Sequence, residues 1–252
     1  MSRPDVPSVV LIGQPNSGKS TLFNAIAGHK AETSNFPGTS IKHTHSRVNI
    51  EGRLLDVVDL PGTYSLCTSD PAEQVVLTHL FAERPDLVVN VVDASTLSRG
   101  LELTLELIEL GYPVVVALNM IDVAERKGVR IDTAEIERRL GVPVTATIAA
   151  HGRGIKELVD RAFDVLDGGG TPRPVRFSGD VEERIAELER ALPAGFPVVS
   201  NARFTAVKLI ETAGHACGDF LGQVEPGLRA AVDRARRALE ERRGAPAYEV
   251  IS

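Results

Sequence analysis

Tryptophan is absent from this chain of 252 residues, cysteine and methionine occur twice each, and aromatic residues make up only 4%. Two cysteines, Cys67 and Cys217, cannot build a disulfide framework, so reducing surroundings are expected. No apolar run approaches the roughly 18 residues that a membrane span requires. The longest, around Leu87–Val92 and Val114–Leu118, have the length of buried strands. Met1–Pro7 lacks the apolar core of a signal peptide. A net charge of −6 argues against a broad nucleic-acid footprint, because phosphate contacts demand clustered Lys and Arg. What is present, 43% hydrophobic and 25% charged residues, fits a globular protein of one large domain, or one ordinary domain plus a small one. The expectation is a soluble, cytoplasmic chain.

Short apolar runs alternate with helical stretches as far as about Leu166, the pattern of a mostly parallel sheet flanked by helices. Strands are expected at Val9–Ile12, Arg47–Ile50, Leu54–Val58, Leu87–Val92, Val114–Leu118 and Val142–Ala146. Helices are expected at Lys19–Ala27, Ala72–Ala82, Ser98–Leu110, Thr133–Leu140 and Ile155–Leu166. Glu51-Gly52-Arg53 is too short for a crossover helix, so the strands it joins form an antiparallel hairpin. Ala31–Thr44 shows no period and reads as a mobile loop. At Gly168-Gly169-Gly170-Thr171-Pro172-Arg173-Pro174 the composition turns to that of a linker. Beyond it, Val181–Leu192, Arg203–Thr212 and Leu228–Leu239 carry apolar residues at helical spacing. The domains are therefore expected at 1–167, α/β and nucleotide-binding, and at 168–252, all-α.

Gly13-Gln14-Pro15-Asn16-Ser17-Gly18-Lys19-Ser20 organises the chain. It satisfies G-x-x-x-x-G-K-[ST], follows the apolar run Val9–Ile12 and precedes the helical run beginning at Thr21. Glycines let backbone N–H groups curl around an anion, and the N–H groups of a helix start point at it. Lys19 can reach the terminal phosphates, and the Ser20 hydroxyl can hold Mg2+. Asp59-Leu60-Pro61-Gly62 ends the strand Leu54–Val58. Asp59 can hold Mg2+ through water, and the Gly62 N–H can contact a γ-phosphate. Asn119-Met120-Ile121-Asp122 ends the strand Val114–Leu118. A buried Asp122 carboxylate would accept from guanine N1–H and its exocyclic amine, a donor pair adenine lacks. Asn119 would brace the loop and contact the base. Ile148 and Ala149 follow the last strand and should touch the base from its other side, with the Ala149 N–H serving the guanine oxygen. In Asn35-Phe36-Pro37-Gly38-Thr39-Ser40, Ser40 or Thr39 supplies a hydroxyl to sense the γ-phosphate through Mg2+. GTP and GDP are the expected ligands.

Taken together, these residues resemble the cytoplasmic part of the FeoB ferrous-iron transporter family. Gly13–Asn24 is similar to that family's G-N-P-N-S-G-K-T-T-L-F-N, Asn35-Phe36-Pro37-Gly38 to its N-W-P-G, and Asp59–Leu66 to its D-L-P-G-x-Y-S-L. Asp93-Ala94-Ser95 and Ala117–Asp122 match in order and spacing. Ala202–Glu211 resembles the A-R-W-x-A-x-K-L-L-E of the family's helical domain, a match other GTPases lack. Gln14, Ser40 and Ile148 depart from the pattern. The resemblance implies a P-loop GTPase (Ras-like) sheet flanked by helices, then a small helical domain that favours the GDP-bound form. It implies GTP hydrolysis that regulates or drives ferrous-iron uptake by an attached membrane permease at the cytoplasmic face of the bacterial inner membrane. The chain would then be the soluble portion, ending at Ser252 before the first membrane helix. Small Feo accessory proteins are implied partners, and no nucleic acid is expected. The resemblance also implies K+ held by Asn16 against the phosphates.

A Ras-like GTPase orients water with a Gln after Asp-x-x-Gly; Thr63 stands there and is a poor substitute. The residues expected to carry hydrolysis are Lys19, Ser40 and Gly62, together with Asn16, whose part through K+ is what the resemblance implies. A ribosome- or tRNA-associated GTPase is the main rival, and it would bring a basic, aromatic RNA-binding appendage that 168–252 does not show. A metabolic kinase would lack Asn119-Met120-Ile121-Asp122. His43 and His45, with Cys67 further on, offer a transient metal contact, weighed against an ordinary solvated loop.

Overall fold

The computed structural model describes residues 6–28, 32–35, 42–66, 71–168, 172–193, 201–211 and 225–251, with backbone alone for 32–35, 42–43 and 71–74. The described residues divide into two compact units, parted between Pro174 and Val175.

Seven strands build the first unit. They are β1 (Ser8–Gly13), β2 (Glu32–Asn35), β3 (Lys42–Ile50), β4 (Arg53–Asp59), β5 (Leu87–Asp93), β6 (Val114–Asn119) and β7 (Val144–Ala146), in the order β2-β3-β4-β1-β5-β6-β7. β4, β1, β5, β6 and β7 run parallel, while β3 is antiparallel to both β2 and β4. β6 is buried along its whole length and β5 along all but its last residue. Central parallel strands covered on both faces need such near-continuous apolar runs. The β3–β4 hairpin turns on Glu51 (φ 53°) and Gly52 (φ 88°), the paired positive dihedrals of a two-residue type I′ turn.

The helices are α1 (Lys19–Ala27), α2 (Pro71–Glu83), α3 (Leu97–Glu109), α4 (Ile121–Arg126), α5 (Thr133–Leu140) and α6 (Ile155–Gly168). Alternation along the strands sends Val9, Leu11, Val57, Val89, Val91, Val115 and Ala117 to one face. There they meet Leu22 and Phe23 of α1 and Leu158, Ala162 and Phe163 of α6. α3 packs on β5 and β6. It comes close because Gly100 has no side chain: a Cβ there would lie 2.3 Å from Val92 Cγ1.

Two expectations are corrected here. Ala31–Thr44 is not a loop throughout: β2 occupies 32–35, and β3 begins at Lys42 rather than Arg47. Its polar residues carry no apolar period; backbone pairing of β2 to β3, and of β3 to β4 from Thr44 on, supplies the order instead. The sequence expectation carries no helix over Asn119–Arg126, yet α4 starts directly after β6, capped by the left-handed Met120 (φ 59°).

The second unit contains α7 (Gly179–Ala191), α8 (Ala202–Glu211), α9 (Pro226–Arg243) and α10 (Ala247–Ile251). Val181, Ile185, Leu188, Ala206, Leu209, Ile210, Val232, Ala235 and Leu239 form its core. Each large apolar side chain so buried contributes about 1.5–3 kcal/mol. No described helix is long and apolar enough to cross a membrane.

Candidate functional site

The carboxyl ends of β1, β4, β5, β6 and β7 point one way, and β1 lies where the strand order reverses. A crevice outside the strand ends at such a switch point is where open α/β sheets take ligands. The loop leaving β1 there is shaped by what its residues lack. A Cβ on Gly13 would stand 2.3 Å from Val91 O, and one on Gly18 (φ 84°) would stand 2.2 Å from Asn119 Nδ2. Asn16 adopts the left-handed region (φ 66°), which asparagine tolerates better than most residues. It is exposed, as are Pro15, Ser20 and Thr21. Gln14 Nε2 and Ser17 Oγ are buried without a hydrogen-bond partner among the described residues. Unpaired buried polar atoms are costly, and two of them in a glycine-shaped loop suit an anion with many acceptor oxygens.

Lys19 is almost wholly buried and ion-pairs with Asp59. Ser20 Oγ donates to the other Asp59 oxygen at 2.8 Å. The Ser20 hydroxyl and Asp59 carboxylate thus lie side by side, a hard oxygen donor pair of the type Mg2+ takes. Gly62 presses on the loop: an added Cβ would be 2.9 Å from Pro15 N. Thr63 N–H donates to Gly13 O at 3.0 Å, and Thr63 Oγ1 donates to Ser65 O at 2.6 Å. That hydroxyl is engaged with a backbone carbonyl.

Asn119, 2% exposed, joins the loop after β1 to the turn after β7. Its Nδ2 donates to Ser17 O at 2.9 Å, and its Oδ1 accepts from Thr147 Oγ1 at 3.2 Å and Ala149 N–H at 2.9 Å. This corrects the expectation for Ala149, whose N–H is committed to Asn119 and not free for a guanine oxygen. The Ile148 N–H is bonded to Arg153 O at 3.0 Å. The Ala150 N–H is the neighbouring donor that reaches no acceptor among the described residues, and Ala150 is an exposed residue. Only the turn geometry of Ala149–His151 reveals this, since Ile148, Ala149 and Ala150 all look alike in sequence. Asp122 is half-buried rather than buried, and its carboxylate pairs with Arg126 at 3.0 Å. The structure thus brings Gly13–Thr21, Asp59, Gly62, Asn119, Met120, Asp122 and Ala149 to one end of the sheet. Thr39, Ser40, Cys67 and the side chain of His43 lie outside the described residues.

Residues 7–162 match the family model described as Ferrous iron transport protein B. The Fe(2+) transporter FeoB of Escherichia coli is 34% identical over 238 residues, covering 93% of this chain and 30% of that protein. The Fe(2+) transport protein A/Fe(2+) transporter FeoB fusion protein of Porphyromonas gingivalis is 37% identical over 245 residues, covering 92% of this chain and 28% of its own length. Among solved structures, an S. thermophilus NFeoB mutant bound to GDP superposes with a TM-score of 0.81 at 34% identity, covering 98% of this chain and 94% of that one. The cytosolic domain of T. maritima FeoB in its GMPPNP form gives 0.76 at 27% identity, covering 92% and 98%. This chain therefore spans less than a third of the curated relatives it matches.

Proposed function

Because the chain belongs to the Ferrous iron transport protein B family, we propose that it binds GTP, hydrolyses it to GDP and phosphate, and acts as the switch that regulates or drives ferrous-iron uptake by a membrane permease. The observation that carries this reading is Asn119, which ties the phosphate loop at Ser17 to the base-side turn at Ala149. A nucleotide spanning the two loops meets Lys19 and the Gly18 turn at its phosphates and Asp122 at its base. Asp122 pairs with Arg126 through one carboxylate oxygen at 3.0 Å, and a carboxylate has further acceptor sites beyond one such contact. A family relationship to ferrous-iron transport proteins also disfavours a ribosome- or tRNA-associated role.

Ser20 and Asp59, with Ser40, would hold Mg2+, which neutralises phosphate charge when bound. Lys19, released from Asp59, would then turn to the phosphates. Gly62 would offer its N–H to the γ-phosphate. The second unit would relay the state of the switch to the permease at the inner face of the bacterial membrane, where small Feo accessory proteins would also act.

Asn16 fits a monovalent cation: it is exposed, held in a left-handed conformation, and its side-chain oxygen makes no protein hydrogen bond among the described residues. K+ at about 4 Å from developing charge, with an effective dielectric near 20, would supply roughly 4 kcal/mol. Realised only in the transition state, that is about a thousandfold in rate. One experiment tests both parts. Displacement of a fluorescent guanine nucleotide by GTP but not ATP, with turnover far faster in K+ than in Na+, is expected. Asn16→Ala should keep nucleotide and lose the acceleration. Equal displacement by ATP would refute guanine recognition, and equal turnover in both salts would refute the role of K+.

A further inference from the structure

Past Gly62 the chain is fastened by a line of hydrogen bonds running from the phosphate loop to α3. It begins with Thr63, whose N–H is bonded to Gly13 O and whose hydroxyl is bonded to Ser65 O. Ser65 Oγ donates to Glu106 Oε1 at 2.9 Å, and Leu66 N–H donates to Glu106 Oε2 at 2.6 Å. Both oxygens of one α3 carboxylate thus hold two successive residues of the segment that follows Asp59-Leu60-Pro61-Gly62. Hydrogen bonds to an ionised acceptor are about twice as strong as neutral ones. The Leu66 side chain, 2% exposed, adds burial to the same anchor.

We propose that Glu106 is a positioning residue for triphosphate recognition: it pins 63–66 to α3 and thereby keeps the Gly62 N–H at the phosphate loop. This rests on the GTPase reading above. Gly62 has no slack toward the loop, since an added Cβ would lie 2.9 Å from Pro15 N. Hydrogen bonds weaken steeply beyond about 3.2 Å, so a small shift of the segment removes the Gly62 N–H from a terminal phosphate. A diphosphate makes no use of that N–H. Glu106 therefore discriminates between the two nucleotides without touching either.

Measured on the 252-residue chain, Glu106→Ala should bind a non-hydrolysable GTP analogue about tenfold more weakly, which is about 1.4 kcal/mol, while GDP affinity stays within about twofold. Glu106→Gln keeps an acceptor for the Leu66 N–H and an amide that donates to the Ser65 hydroxyl, and it should restore the ratio. Should Glu106→Ala fail to fold, Ser65→Ala removes one of the two bonds at a partly exposed position and should shift the same ratio in the same direction. An unchanged ratio, or equal weakening of both nucleotides, overturns the inference. If the unaltered chain binds no guanine nucleotide, the GTPase reading falls first and takes Glu106's role with it.

Discussion

Asn119 shows how one side chain serves two purposes that the sequence presents as one. Its place at the end of β6, in Asn119-Met120-Ile121-Asp122, carries the expectation of base recognition. Its bond to Ser17 O spans 102 positions of chain and leaves no trace in spacing. Gly18 is needed for the same joint, because any Cβ there would run into Asn119 Nδ2. Truncating Asn119 to Ala would strand the Ala149 N–H and the Ser17 carbonyl in a buried setting. Each unsatisfied group costs about 1–3 kcal/mol. Asn119→Ala should therefore lower unfolding free energy by about 2–6 kcal/mol in urea titration and weaken the preference for GTP over ATP. Wild-type stability with intact discrimination would show that the brace is dispensable.

Among elements, α7 and α8 explain the sequence match that most resembled a helical domain of this family. Arg203, at the start of that match, makes two bonds to Glu182 of α7, at 2.8 and 2.9 Å. Glu182 also accepts from Phe177 N–H at 2.9 Å and from Arg176 at 3.0 Å. The stretch leading into α7 is thus stapled to both helices by one carboxylate, which gives Arg203 a structural role. Burial alone would raise the pKa of Glu182. The Arg203 guanidinium, the Phe177 N–H and Arg176 outweigh it and lower the pKa from 4.5 to about 2. A folded-state pKa below the unfolded value means that this stabilisation is complete above about pH 4.5 and fades as pH falls toward 2. Thermal melts across that window should show a steeper decline for the wild type than for Glu182→Gln, which cannot titrate there. Identical slopes would remove Glu182 as the cause. The helical period of Val181–Leu192 was readable in sequence; that Glu182 faces Arg203 was not, because both lie among many charges that look equally solvated.

At the scale of the molecule, the two units have separate cores, one around β1, β5 and β6 and the other around α7, α8 and α9, with no residue in common. A unit with its own core can fold alone. The fragment 1–174 should therefore unfold in one cooperative transition and bind guanine nucleotide within about tenfold of the whole chain's affinity, by calorimetry and titration. An unfolded fragment would show that the first unit depends on the second.

The sequence alone determined the order of the apolar strands and of the helices other than α4, and the position of the phosphate loop, because these signals are local. Short apolar runs and a glycine-framed turn before a helix act over a few positions. The tertiary structure decided the pairings: Lys19 with Asp59, Asn119 with Ser17, Glu106 with Ser65 and Leu66, and the N–H of Ala150 rather than Ala149 as the donor that reaches no acceptor among the described residues. Hydrogen bonds form between groups brought within about 3 Å by the sheet, whatever their separation in the chain, so no period or motif encodes them.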